Sequence, residues 1–270
     1  MDLKSESKTM FIPLLGKATM SKQNLFLKDS KAEEIVSQVQ YDFKSLKQSQ
    51  WLSMFLSLRA SILDEICNQY IKRYPHLTIV HLGCGLDSRC LRVLQNYDYW
   101  YDVDYSSVIH IRKEYYQEDS KYKMIGSSIT ESDWLSLIPN QEHVLFVAEG
   151  LTMYLSESEL QNLVDHIYRR FKKAHLLFDA YSKKAVKASK IKNPVNQMNA
   201  TVKFGMDKPD DFTSLNKHLK HLKTHYIVNK NNSLRGWKRF LFNHLYCGKI
   251  SQSLYKIYEF GFLEEENYER

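Results

Sequence analysis

Glycine is scarce in this 270-residue chain, at 9 residues, about half its usual share of roughly 7%, and the five prolines stand singly. Collagen-like and Pro/Gly-rich disordered architectures are thereby excluded, and no Pro-, Gly- or Ser-rich tract marks a linker. The four cysteines (Cys67, Cys84, Cys90, Cys247) make no C-x-x-C pair and no metal-ligand spacing. In a chain this long they do not suggest a disulfide framework, so reduced thiols are expected. No apolar run nears the ~20 residues needed to span a bilayer, and the opening MDLKSESKTM lacks the apolar core of a signal peptide. A cytoplasmic protein with no membrane partner is expected. Internal repeats are also absent.

What is present is ordinary globular text: 43% hydrophobic, 13% aromatic and 26% charged residues. A compact chain of this length buries roughly three quarters of the surface it exposes when unfolded, so one domain, with or without an insertion, can be stable unaided. The net charge of +7 conceals an asymmetry, because residues 171–256 hold 18 Lys and Arg against 4 Asp and Glu. Such a block reads first as a solvated face and second as a surface for an anionic partner.

The first 75 residues read as helical. Trp51, Met54, Phe55, Leu58, Ile62, Ile66 and Tyr70 fall at three- and four-residue spacing along one face of a long helix that Pro75 ends. Leu77 to Gly83 (LTIVHLG) is a short β-branched run closing on glycine, as a buried parallel strand does. Further strands are expected at Tyr97–Asp104, Lys121–Ser127, His143–Gly150 and Ala174–Tyr181, with helices between them. After Leu155, Ser156 and Glu159 spell an S-x-x-E capping box before an apolar stripe. Alternating strands and helices imply βαβ units and a parallel sheet, to which Leu219–Val228 and Leu254–Leu263 could return as edge strands. His218, His221 and His225 have the spacing of zinc ligands on a helix, but no carboxylate or cysteine accompanies them, and an amphipathic helix with outward histidines is the simpler expectation.

In a doubly wound sheet, ligands bind beyond the carboxyl ends of the strands, so the residues there matter most. The first strand ends in Gly83-Cys84-Gly85-Leu86-Asp87-Ser88-Arg89, where side chains at the glycines would block a ligand lying on the turn. The second ends in Asp102-Val103-Asp104, about 20 residues after the turn, where a carboxylate suits a ribose diol. The third ends near Gly126-Ser127-Ser128, and the fourth in Ala148-Glu149-Gly150. A nicotinamide dinucleotide site is disfavoured because Ser88 stands where the third glycine of G-x-G-x-x-G should be, and because a long helical preface better suits a cap over a smaller cofactor.

Three segments, HLGCGLDSRCLRV (His81–Val93), WYDVDYSSVIHIRKE (Trp100–Glu114) and FVAEGLTMYLSESEL (Phe146–Leu160), resemble the leucine carboxyl methyltransferase family, closest to its bacterial polyketide-biosynthesis O-methyltransferase branch. The likeness extends upstream to FIPLLGKA (Phe11–Ala18) and KAEEIVSQVQYDF (Lys31–Phe43), and more faintly downstream to KFGMDKP (Lys203–Pro209) and KISQSLYKIYEF (Lys249–Phe260). The resemblance implies S-adenosylmethionine as cofactor and a Rossmann-like, mostly parallel seven-stranded sheet. It further implies a helical cap (1–75), a cofactor-binding core (76–181) and a basic helical substrate lid with the final strands (182–270), all in one domain. It places Lys17 and Arg59 at the cofactor carboxylate, Gly83 and Gly85 at the turn, Asp104 at the ribose, Ser128 beside adenine and Glu149 near the ammonium. Ser88 replaces a usual threonine and Lys17 a common arginine; both keep the relevant chemistry.

The expected activity is methyl transfer to a carboxyl or hydroxyl of a small polyketide-like metabolite. A carboxylate acceptor needs no base, whereas a phenol would benefit from one; Tyr154, His81 or a cap histidine could serve, and Tyr154 is the best placed. Its ring is equally suited to core packing, as Asp87 is to capping a turn. The alternative is a tRNA- or protein-carboxyl-directed methyltransferase using the basic block, whose lysines and arginines interleave with Phe204, Phe212, Tyr226, Trp237 and Phe240.

Overall fold

The computed structural model describes residues 5–189, 201–229 and 234–262. Parts of the expected lid (190–200 and 230–233) lie outside the described residues. Four helices come first: α1 (Ser5–Lys8), α2 (Phe11–Lys22), α3 (Ser30–Gln38) and α4 (Gln50–Arg73). Alternation follows with β1 (Leu77–Leu82), α5 (Arg89–Arg92), β2 (Tyr99–Asp104), α6 (Ser106–Arg112), β3 (Tyr122–Gly126), β4 (His143–Ala148), α7 (Glu157–Arg170) and β5 (Ala174–Tyr181). The chain closes with α8 (Lys183–Ser189), α9 (Asp210–Thr213), β6 (Leu219–His225), α10 (Gly236–Tyr246), α11 (Lys249–Leu254) and β7 (Tyr255–Phe262).

The strands form one seven-stranded sheet in the order β3-β2-β1-β4-β5-β7-β6. Strands β1 to β5 are parallel, and β7 runs antiparallel between β5 and β6. Every residue of β1 is buried, because its alternate side chains enter two cores. Ile79 joins Leu14, Leu58 and Val108 of α2, α4 and α6 on one face, and Val80 joins Leu160, Val164 and Ile167 of α7 on the other. Both faces are therefore dry, which is why the strand reads as unbroken apolar text.

Helix ends are where the sequence says they should be. The Ser49 hydroxyl accepts from Leu52 N at 3.1 Å to start α4, and both halves of the Ser156/Glu159 capping box form at α7. Of the two readings of residues 219–228, the edge strand holds, as β6, and the amphipathic helix suggested by the histidines fails. Pairing with β7 satisfies their backbone, and the bulge between His221 and Lys223 breaks the clean alternation by which a strand is recognised. The strand order reverses between β1 and β4, and the turns leaving both strands carry a glycine in the left-handed region, Gly83 at φ 60° and Gly150 at φ 66°.

Candidate active site

The crevice at this reversal is a cavity of about 340 Å³, bounded below by the ends of β1, β2 and β4 and above by α2 and α4. Gly83 and Gly85 form its floor. A Cβ on Gly83 would stand 2.8 Å from Leu151 Cδ1, and one on Gly85 would stand 3.0 Å from Met10 Cβ of the cap. The floor is thus kept low by the absence of side chains as well as by positive φ. Gly83→Ala is expected to cost about 1–2 kcal/mol through its left-handed backbone; urea unfolding measures this, and an unchanged midpoint would contradict it.

Asp104, at the end of β2, accepts from Gly85 N at 2.8 Å and from Tyr105 N at 2.7 Å. Burial pushes its carboxyl up to about 6, against the pull of those two donors. Asp102, two residues earlier on the same face, is fully buried and engaged with Arg112 at 2.5 Å, Tyr122 and Trp100. It braces the sheet and leaves Asp104 as the carboxylate that borders the cavity.

Arg59 crosses from α4 to the ends of β4 and β5. Its Nη2 donates to Glu149 Oε1 at 2.7 Å and its Nε to the same oxygen at 3.1 Å. Its Nη1 donates to Asp179 Oδ2 at 3.1 Å and to the Tyr255 hydroxyl at 3.0 Å. Four of the five guanidinium N–H bonds are thereby used, which leaves one on Nη2 for a ligand. Lys17 pairs with Asp87, and Arg89 bridges Glu149 to Asp64. Arg92 ties Asp64, Asp29 and Asp87 together. Burial acts to raise the Glu149 carboxyl, but Arg59, Lys17 and Arg89 outweigh it and hold it well below the usual carboxylate range. Asp179 is instead raised, because burial outweighs the attraction of Arg59. Across the site the buried carboxylates of Asp29, Asp64, Asp87, Asp102, Glu149 and Asp179, with the half-buried Asp104, outnumber the cations Lys17, Arg59, Arg89, Arg92 and Arg112.

The remaining walls are apolar, from Met10, Ile12, Leu14, Leu52, Leu56, Met153 and Leu155, with polar atoms at Ser7, Tyr154, Tyr181 and Lys203. Ser7 Oγ is buried with no hydrogen-bond partner among the described residues. Burial raises the phenols of Tyr154 and Tyr181, so both are neutral donors at ordinary pH. His81 is buried, with its Nε2 3.3 Å from Arg89 Nη1; its Nδ1 lies 3.4 Å from Asp102 Oδ1 and makes no hydrogen bond among the described residues.

The structure gathers Lys17, Arg59, Gly83, Gly85, Asp104, Glu149 and Tyr154 around one cavity. Ser128 is the exception. Its hydroxyl lies 2.8 Å from Thr130 Oγ1, and Ser127, Ile129 and Thr130 form the wall there instead; the irregular backbone after β3 turns the position implied by the family resemblance toward its own loop. Asp87 is a cap, accepting from Arg89 N at 2.6 Å, and also the partner of Lys17. Sequence reasoning missed Asp179, Arg89 and Arg92. Asp179 had a usable signal as a third acid near a strand end, and so did two arginines three residues apart in an otherwise apolar turn.

The strand order, the glycine turn after β1 and the carboxylate at the end of β2 are those of a Rossmann-like methyltransferase sheet, a class that uses S-adenosylmethionine. The chain belongs to the leucine carboxyl methyltransferase family, whose model matches residues 12–168. It is 33% identical over 189 residues, 70% of each chain, to the tetracenomycin polyketide synthesis O-methyltransferase TcmP of Streptomyces glaucescens. It is 30% identical over 187 residues, 63% of each, to the S-adenosyl-L-methionine-dependent methyltransferase dpfgK of Gibberella zeae. Among solved structures, the fold matches magnesium protoporphyrin IX methyltransferase from Synechocystis PCC 6803 with bound S-adenosylhomocysteine. That match has a TM-score of 0.52 at 11% identity, over 87% of this chain and 94% of that one.

The residues present fit the cofactor. The glycine floor admits a flat nucleoside, and the excess of buried carboxylates favours a ligand bearing a sulfonium and an ammonium. Lys17 and the spare Arg59 N–H offer donors to its carboxylate.

Proposed function

We propose that the protein transfers the methyl group of S-adenosylmethionine to a carboxylate oxygen of a small, largely apolar acceptor, acting as one catalytic domain. The observation that carries this reading is the chemistry of the acceptor-side walls, where apolar side chains surround neutral tyrosines and one lysine. Tyr154 and Tyr181 are held protonated by burial, and the buried His81 has its Nε2 against the Arg89 guanidinium and its Nδ1 3.4 Å from the Asp102 carboxylate. Glu159 gives its Oε2 to the capping box, and the same oxygen lies 3.7 Å from Lys203 Nζ. A phenol would have to lose its proton without help, whereas a carboxylate is already the nucleophile.

In this reading Lys17 and Arg59 hold the cofactor carboxylate, Gly83 and Gly85 underlie the nucleoside, Asp104 accepts from the ribose diol, and Glu149 faces the ammonium. Ser127, Ile129 and Thr130 flank the adenine in place of Ser128. S-adenosylmethionine supplies an electrophilic methyl on a good leaving group, so catalysis consists mainly of alignment. Tyr154 donates to the acceptor and orients it, Lys203 attracts its anion, and the cap excludes water. The likeness to a polyketide O-methyltransferase supports oxygen as the accepting atom and a polyketide-like molecule as the acceptor.

Transfer from methyl-labelled cofactor to a panel of aromatic carboxylates, phenols and tRNA tests the proposal. The expected product is an ester that releases labelled methanol in mild alkali. Alkali-stable label on phenols, or label in tRNA alone, would refute it.

A further inference from the structure

From Phe212 to Tyr258 the chain contains no Asp or Glu. Within that stretch lies the largest concentration of exposed apolar side chains among the described residues. Helix α10 sets Trp237, Phe240, Leu241 and His244 at positions i, i+3, i+4 and i+7, one face of a helix. Trp237 is 66% and Phe240 74% exposed. Leu245 is 52% exposed, and Ile250 on the adjoining α11 is 77% exposed. The opposite side of α10 is anchored, since Phe242 is fully buried with its ring 5.6 Å from Phe26 and 6.3 Å from Trp51 of the cap. Arg235, Lys238, Arg239 and Lys249 stand exposed around the apolar stripe, and no ion pair to another described residue is found for any of them.

We propose that α10 and α11 form an interfacial anchor that docks this protein on an anionic phospholipid surface. Single exposed apolar residues are ordinary. A tryptophan, a phenylalanine and two aliphatics on a rigid support, ringed by cations that form no ion pair among the described residues, combine the two attractions that hold a helix in the headgroup region. Single-stranded RNA satisfies only part of this surface, because Leu245 and Ile250 offer no π face to a base. A symmetric contact between two copies would bring like charges together. The expectation of no membrane partner rested on the lack of a spanning segment. None of the helices among the described residues is long and apolar enough to cross a membrane, and a helix lying on the surface does not need to be.

The anchor is independent of the acceptor's identity. Helix α10 packs on Trp51, the neighbour of the cavity residue Leu52, so docking would place the cavity mouth near the bilayer.

Co-sedimentation of the full chain with phosphatidylglycerol-containing and pure phosphatidylcholine vesicles tests the proposal, together with tryptophan emission. Trp237 is the exposed one of the four tryptophans, Trp100 and Trp134 being buried and Trp51 half-buried against Phe242, so loss of the shift in the Trp237→Ala variant assigns it. The expected result is binding to anionic vesicles with a blue shift, little binding to neutral vesicles, and loss at high salt. Trp237→Ala/Phe240→Ala and Lys238→Gln/Arg239→Gln should each weaken binding at least tenfold while S-adenosylhomocysteine affinity is unchanged, which shows that the variants remain folded. No binding to anionic vesicles at low salt would overturn the proposal. So would vesicle binding untouched by both variants, or a blue shift produced only by RNA or only by raising protein concentration.

Discussion

Replacing Arg59 by methionine is expected to destabilise the protein by about 3–5 kcal/mol at pH 8, because it strands the buried Asp179 and leaves the buried Glu149 to its pair with Arg89. Glu149 and Asp179 both lean on this guanidinium, and the Tyr255 hydroxyl loses its donor as well. The sign of the pH dependence follows. In the wild type the depressed Glu149 contributes stability above its unfolded value, and that contribution is lost only as pH falls through the low folded value. Without Arg59 the already raised Asp179 rises further and destabilises the fold until it is protonated, while Glu149, left with Arg89 and Lys17, loses part of its depression. The gap between variant and wild type should therefore narrow as pH falls from 8 toward 5.5. Thermal unfolding at the two pH values measures it, and an equal gap at both would mean that the charges are not coupled as the geometry indicates. Where the variant remains folded, calorimetry should show loss of S-adenosylhomocysteine affinity. Unchanged affinity would remove Arg59 from the cofactor site.

Asp104 carries the second large effect. Its carboxyl, pushed up to about 6 by burial, must be ionised to accept two hydrogen bonds from a ribose diol. Affinity for S-adenosylhomocysteine should therefore fall as pH drops below about 6, by up to tenfold per unit. Asp104→Asn should weaken binding by about 1.5–3 kcal/mol, the value of hydrogen bonds to a charged group, and flatten that pH dependence. Stability without cofactor should change little. The raised wild-type value costs stability as pH rises through about 6, and asparagine removes that cost. Asparagine, however, has one oxygen for the two N–H donors of Gly85 and Tyr105, and the orphaned donor costs about 1–3 kcal/mol. A binding curve that ignores pH between 5 and 8 would exclude Asp104 as the titrating group.

The two cases differ in how far they could be read from sequence. Asp104 lies 19 positions beyond Gly85, on the neighbouring strand, and its role follows from local spacing in a βαβ unit. Arg59 was legible as a buried cation because Phe55, Leu58 and Ile62 surround it in the helical pattern. Its partners were not, since Glu149 and Asp179 lie 90 and 120 positions away. Ser128 shows the opposite failure, in which a position taken from a family likeness met a short irregular turn that aims a hydroxyl elsewhere. The histidines of β6 show a third, because their charge spacing suits a helix while their backbone is claimed by β7.

By itself the sequence determined the strands, the long helix, the capping box and the two glycine turns. Each depends on periodicity or backbone conformation within a few residues. The tertiary structure alone decided which strand ends meet at the reversal between β1 and β4, how five cations and seven carboxylates share one buried site, and which apolar face of α10 remains uncovered. Coulombic pairing and burial depend on distance in space, and a chain that crosses its own sheet brings together groups that its order keeps apart.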